Sequence, residues 1–166
     1  MIRNMNEHDN EKVFKLGLTL FREEDEIPYF KEAIHTYVKE LSYVVTESNN
    51  IIGFILVCKK MTKLYKDFIK NIPNCYELSF FGIDSKYQGK GYGSQCLRLT
   101  LSSIYKSCTQ FNCWLIVDQN NYGAIKMYRK YGFRIWCFID HNKYPSYIMG
   151  LSHKRYKRIV YNYILT

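Results

Sequence analysis

The chain has 166 residues, 47% of them hydrophobic, enough apolar content for one domain to bury a core without disulfide or metal staples. No uninterrupted apolar run approaches the roughly 20 residues of a membrane span, and MIRNMNEHDN lacks the apolar stretch of a secretory leader, so a single cytoplasmic domain over 1–166 is expected. The formal charge of +9 admits a nucleic acid or another anionic partner, although abundant Lys, Asn, Ile and Tyr are also what coding bias in an AT-rich genome produces.

Ile2 to Met5 reads as a short first strand. Glu11 to Phe21, with no breaker except Gly17, reads as a first helix carrying Val13, Leu16, Leu18 and Leu20. The acidic run Arg22-Glu23-Glu24-Asp25-Glu26 then precedes Ile27-Pro28. Acid ahead of a helix and proline in its first turn suit the helix dipole. Phe30, Ile34, Val38 and Leu41 complete an amphipathic second helix, and Ser42–Thr46 and Ile51–Cys58 read as strands joined at Ser48-Asn49-Asn50. The basic stretch Lys59–Lys70, with Met61, Leu64 and Phe68 at helical spacing, reads as an inserted surface helix.

Tyr76 to Ile83 is a fourth strand, followed by a third helix to about Cys108. Phe111 to Val117 is a fifth strand, and a fourth helix closes at Gly132 with Phe133 packed behind it. Arg134–Ile139 and Tyr147–Leu151 form a closing pair of strands around a turn at His141 to Pro145. The tail from about 153, HKRYKRIVYNYILT, is basic and then apolar, and fits against the core or on another subunit, leaving a homodimer open. The six cysteines (58, 75, 96, 108, 113 and 137) have no C-x-x-C spacing and lie mostly in apolar runs, as reduced core thiols do. The histidines are scattered without ligand spacing, so no metal is implied.

The stretch Ser79–Leu101, SFFGIDSKYQGKGYGSQCLRLTL, carries the chemistry. A strand-like run passes a polar turn at Asp84-Ser85-Lys86, meets Gly89, Gly91 and Gly93, and enters a helix whose Leu97, Leu101, Ile104 and Cys108 share one face. Glycines let the backbone approach a ligand, and the free N–H groups at a helix start favour an anion. No P-loop pattern is present, and Cys96 stands where a dinucleotide fingerprint needs its third glycine. The pattern that fits is Q-x-x-G-x-G, as Gln88, Gly91 and Gly93. Further on, Asn121, Ala124, Tyr128, Gly132 and Phe133 make N-x-x-A-x-x-x-Y-x-x-x-G-F beyond the apolar run Cys113–Val117.

With these two motifs in this order, the chain resembles the GNAT superfamily of N-acetyltransferases, at motif level from about Glu77 to Phe133. The resemblance implies an α/β (α+β) fold with a central mixed, mostly antiparallel sheet of about six to seven strands, flanked by helices and splayed between strands four and five. It also implies acetyl-CoA as donor and an amine, small molecule or protein, as acceptor, attacking the thioester directly in a ternary complex. Pantetheine would pair with the fourth strand around Phe81 and Ile83. Backbone N–H groups of Gln88, Gly89, Lys90, Gly91, Tyr92, Gly93 and Ser94 would hold the pyrophosphate, with Lys86 and Lys90 as nearby cations. Asn121 matches a side-chain contact to the cofactor, but also fits the cap of the fourth helix. Tyr128 matches the hydroxyl that protonates the leaving thiolate, with a buried aromatic beside Ala124 and Tyr131 as the structural alternative.

Glu77 stands eleven positions before Gln88, where a branch of the family carries the carboxylate that helps take the proton from the amine. Alternation puts it on the face of Ser79 and Phe81. A carboxylate in an apolar strand is costly unless wet, paired or useful, so the alternative is a strand-end Glu in solvent. The acidic run Glu23–Glu26 falls where the family's first two helices border the acceptor pocket.

Two other classes compete. A non-catalytic acyl-CoA sensor or structural subunit would be favoured by loss of Glu77 or Tyr128, and both are present. Lys90-Gly91-Tyr92-Gly93 also matches the first half of an RNA-recognition RNP1 motif. Its second half, Ser94-Gln95-Cys96-Leu97, runs into a helical period without the stacking aromatics, so a nucleic-acid partner is not expected.

Overall fold

The hairpin that starts the sheet depends on two residues that tolerate left-handed backbone. Ser48 (φ 47°) and Asn49 (φ 65°) turn the chain between β2 (Tyr43–Glu47) and β3 (Asn50–Cys58), with Glu47 opposite Asn50. A two-residue turn with both φ positive matches the right-handed twist of the strands it joins. The structure is a computed structural model that describes residues 1–21, 24–59, 74–140 and 144–164, without the side chains of 161–164. The inserted helix expected at Lys59–Lys70 lies outside the described residues from 60 on, as do Arg22 and Glu23 of the acidic run and residues 141–143 of the last turn.

The remaining elements are β1 (Ile2–Asn4), α1 (Asn10–Leu20), α2 (Ile27–Thr36), β4 (Cys75–Ile83), α3 (Tyr92–Ser107), β5 (Asn112–Asp118), α4 (Tyr122–Lys130), β6 (Arg134–Ile139), β7 (Ser146–Ser152) and α5 (His153–Ile164). The strands form one seven-stranded sheet in the order β1-β2-β3-β4-β5-β7-β6. Only the β4–β5 pair is parallel. This is the mixed, mostly antiparallel sheet that the motifs imply.

Two apolar layers cover the sheet. On one face, Val13 of α1 and Phe30, Ala33 and Ile34 of α2 pack on Val44, Phe54 and Leu56. On the other, Leu97, Leu101 and Ile104 of α3, Ile125 and Tyr128 of α4, and Tyr156 of α5 pack on Ile55, Val57, Leu78, Leu115 and Leu151. The tail therefore lies on the chain's own core through Tyr156, which also meets the rings of Tyr105 and Phe111.

The second helix ends earlier than its apolar period indicates. Tyr37 leaves the helix in extended conformation and bridges Cys58, and the Val38 N–H donates to Val57 O at 2.7 Å, so Val38 and Leu41 follow the sheet edge. Gly17 does not break α1. It admits the Phe30 ring, whose Cε1 and Cζ take up the space a β-carbon would need. Phe30 in turn packs against Phe14, Phe21, Phe54 and Phe80, which fixes α1 and α2 over β4.

Gly17→Ala should therefore destabilise the fold by about 1–3 kcal/mol, the range of overpacked cores, despite alanine's better helix propensity. Urea unfolding measures this, and an unchanged midpoint would mean that Phe30 has room to move.

Candidate active site

The loop after β4 is built from local hydrogen bonds. Asp84 Oδ1 accepts from the Lys86 N–H at 3.0 Å and starts a single 3-10 turn over Ser85–Tyr87. The Gln88 side chain then folds back, its Nε2 donating to Ile83 O at 2.9 Å, so the loop is tied to the last residue of β4. Gly89 (φ 75°) and Gly91 (φ 83°) take left-handed backbone that other residues adopt at a cost, and Gly91 caps α3. The first bond of the α3 ladder runs from the Gln95 N–H to Gly91 O at 3.0 Å. The amides of Tyr92, Gly93 and Ser94 precede it, at the positive end of the helix, as an anion-binding N-terminus requires. Lys86 and Lys90 are exposed beside this loop, with Lys90 Nζ 5.1 Å from the centre of the Tyr87 ring.

Two ties the sequence did not signal hold the loop from outside. The Tyr92 hydroxyl donates to Glu47 Oε1 at 3.2 Å, and the Tyr131 hydroxyl donates to Ser94 O at 2.9 Å. Glu47 and Tyr131 are remote from the loop in sequence, and no motif links them to it.

Behind the loop, the sheet opens. β4 and β5 pair only at Cys75↔Asn112, Tyr76↔Cys113 and Glu77↔Trp114. Beyond Glu77, β4 stays registered with β3 and β5 with β7, so the two strands part and leave facing backbone edges. A β-bulge lies at the point of parting: Leu56 pairs with Phe80 and Val57 with Leu78, which makes Ser79 the extra residue. Bulges bend a strand and raise its twist, here turning β4 away from β5. Ser79 Oγ is buried and has no hydrogen-bond partner among the described residues, although it lies near enough to the Cys58 thiol to favour its ionised form.

The bulge corrects one expectation from alternation. Glu77 does not share a face with Phe81, because the extra residue reverses the alternation between them. Glu77 pairs with Cys58 and Trp114 and lies on the α1–α2 face, while Phe81 packs with Tyr128 on the α3–α4 face, ring centres 6.5 Å apart. Glu77 is 5% exposed, which sets aside a solvated strand-end residue.

Tyr128 is also buried, against Phe81 and Phe133. Burial, with Cys113 nearby, raises its phenol well above the usual value, so it stays a neutral donor across the physiological range. Tyr128 lies beside Phe81 on the α3–α4 face, and Glu77 lies on the opposite, α1–α2 face of the sheet. Ile83 is buried on the Tyr128 side. The Asn121 side chain has a defined local job: Oδ1 accepts from the Ala124 N–H at 3.1 Å and caps α4. Of the acidic run, Glu24, Asp25 and Glu26 form an exposed turn ahead of α2.

The fold thus brings together a parallel strand pair that parts beyond three rungs, a glycine loop leading into a helix start, and two buried ionisable groups near the parting. Comparison with known proteins assigns the chain to a family. The sequence model of the acetyltransferase (GNAT) family matches residues 8–133, and the chain belongs to that family. The spermine/spermidine N(1)-acetyltransferase of Bacillus subtilis is 32% identical over 65 residues, 39% of this chain, and the match spans 43% of that relative's length. Among solved structures, Ard1 from Thermoplasma volcanium superposes with a TM-score of 0.72 at 21% identity, covering 92% of this chain and 96% of its own. Arabidopsis thaliana Naa50, solved with the bisubstrate analogue CoA-Ac-MVNAL, gives 0.71 at 20% identity, with 91% and 97% covered. These structural likenesses show a shared fold.

The thiols around the vertex are not poised to act as nucleophiles. Burial, then Glu77, pushes Cys75 up to about 12; burial alone pushes Cys96 up to about 12, and burial also raises Cys58 and Cys113. A thiol with a raised pKa stays protonated, and the thiolate is the reactive form. Iodoacetamide at about pH 8 should therefore modify these four cysteines only after denaturation, as read by mass spectrometry of the native and unfolded chain. Labelling of any of the four in the native state would contradict this.

Proposed function

We propose that the chain transfers an acetyl group from acetyl-CoA to a primary amine, by direct attack of the amine on the thioester in a ternary complex. The observation that carries this reading is the opened β4–β5 junction, with Tyr128 on one face of its vertex and Glu77 on the other. Pantetheine runs along the free edge of β4 near Phe81 and Ile83. The pyrophosphate lies on the amides from Gln88 to Ser94, a run that includes Gly89, Lys90, Gly91, Tyr92 and Gly93, and Asn121 borders the same side through the start of α4. A ligand strand there offsets the cost of a sheet edge left without partners.

The amine comes from the α1–α2 face and loses its proton toward Glu77, directly or through water. Its nitrogen attacks the carbonyl carbon, the C–S bond breaks, and the Tyr128 hydroxyl supplies a proton to the departing sulfur. Each group then works from the side its reactant occupies. The buried, protonated thiols support direct attack over an acetyl-cysteine intermediate. Glu24, Asp25 and Glu26 favour a cationic acceptor. Both polyamine acetylation, the activity named for the Bacillus relative, and acetylation of a protein amino group fit this cleft.

Steady-state kinetics with acetyl-CoA and a panel of amines tests the assignment. Tyr128→Phe should lower kcat by about 100-fold, the scale of general-acid catalysis, and leave acetyl-CoA affinity nearly unchanged. Unaltered turnover would remove the acid. Glu77→Gln should flatten the rise of rate with pH that titration of a base produces, and an unchanged profile would move that role elsewhere.

A further inference from the structure

The positive charge of this chain is not spread along it. From Gln119 to Thr166 there are nine Lys and Arg against the single acid Asp140; residues 1–118 carry fifteen against fourteen. Eight of the nine net charges therefore fall in the last 48 residues. Coding bias would act on the whole chain, so it does not account for this asymmetry.

The fold gathers much of that charge at one end of the sheet. Arg129 and Lys130 end α4, Arg134 begins β6, and Arg155 and Arg158 lie one turn apart on α5. Arg155 Nε donates to Gly132 O at 2.6 Å, which draws the first turn of α5 against the end of α4. Burial and the neighbouring guanidiniums of Arg134 and Arg158 lower the pKa of Arg155, so the three cations lie within electrostatic reach of one another. Arg134 and Arg158 are exposed, and neither side chain has an ion pair or hydrogen bond among the described residues.

The donor loop does not need this charge. It follows Ile83, at the end toward which β4 and β5 run. Arg134 lies level with Gly150 and Trp114, near where those strands begin. Along a nine-residue strand the two ends are on the order of 25 Å apart. We infer that the surface formed by the end of α4, the start of β6 and α5 binds the phosphodiester backbone of single-stranded nucleic acid. Guanidinium groups fit phosphate oxygens in a two-pronged geometry that a lysine lacks. On the edge strand that Arg134 starts, Trp136 is 36% exposed, with its indole lying over Gly150, the residue that pairs with Arg134, and Phe138 is 49% exposed on the other face beside Tyr147; a partly exposed ring such as that of Trp136 can stack on an unpaired base. An acidic protein would match the charge as well, and the poly-glutamate arm of the test below separates it from nucleic acid. This site is separate from the Gly89–Gly93 loop and independent of the transferase reading.

Fluorescence anisotropy with labelled oligouridylate and oligothymidylate, between about 50 and 200 mM salt, tests the inference. The intact chain should bind, with affinity falling steeply as salt rises. Arg134→Glu combined with Arg158→Glu should weaken binding at least tenfold and reduce the log–log salt slope by roughly 1.4, about 0.7 for each phosphate no longer neutralised. Thermal stabilisation by CoA serves as the folding control and should equal that of the unmodified chain. Equal affinity for the double variant, no binding at the lowest salt, or equally tight binding of poly-glutamate or phosphatidylserine vesicles would each overturn the proposal. If the double variant fails to fold, Lys130→Gln with Arg129→Gln addresses the same surface from α4, with the same readout.

Discussion

Two parallel strands that share three rungs and then separate set the conditions for everything else in this protein. β4 is held along its other edge by β3, and β5 along its other edge by β7, so neither can bend back to close the gap. The extra residue Ser79 supplies the bend locally, because two residues of β4 must fit opposite one of β3. A sheet opened this way is stable only if its halves are independently supported. The α1–α2 layer holds the β3–β4 half through the Phe30 cluster, and α3, α4 and α5 span the other face.

The same opening explains why two buried polar groups are tolerated at the vertex. Glu77 and Tyr128 occupy apolar surroundings, and the cost of burying polar groups is met when they have partners or a reactant to act on. Their placement on opposite faces separates the paths of two reactants. In the proposed reaction the donor would enter along the free edge of β4 from the loop end, and the acceptor would approach from the α1–α2 face. The loop itself is pre-shaped by Gln88, Tyr92 and Tyr131, each bonded to a different part of the scaffold. A loop held in this way would need little rearrangement to bind the proposed pyrophosphate.

Charge is arranged on a separate principle. Among the described residues Lys86 and Lys90 lie beside the glycine loop, while the C-terminal third concentrates cations on α4, β6 and α5. The loop proposed for the donor would select through backbone geometry and the basic surface inferred for nucleic acid through density of charge, so binding at the two should respond differently to salt.

Much of this was legible from sequence because local chemistry fixes it. The glycine loop, the strand before it, the helix after it, the Asn121 cap and the Gly132 stop are set within a few residues each, by φ requirements and capping bonds that neighbours cannot override. Apolar runs and the turn residues between them located each described strand to within a residue or two, even β1 and β6, which have no fully buried residue. Only the tertiary structure decided where those patterns stop and which faces meet. α2 ends at Thr36 because Tyr37 and Val38 are claimed by β3, and α1 continues through Gly17 because Phe30 fills the space there. Alternation failed at Ser79, and with it the face assigned to Phe81, because a bulge arises from pairing with a partner strand and leaves no mark on the strand's own sequence. The ties from Glu47 and Tyr131, and the gathering of Arg134 with Arg155 and Arg158, likewise join residues far apart in the chain, and only packing brings them together.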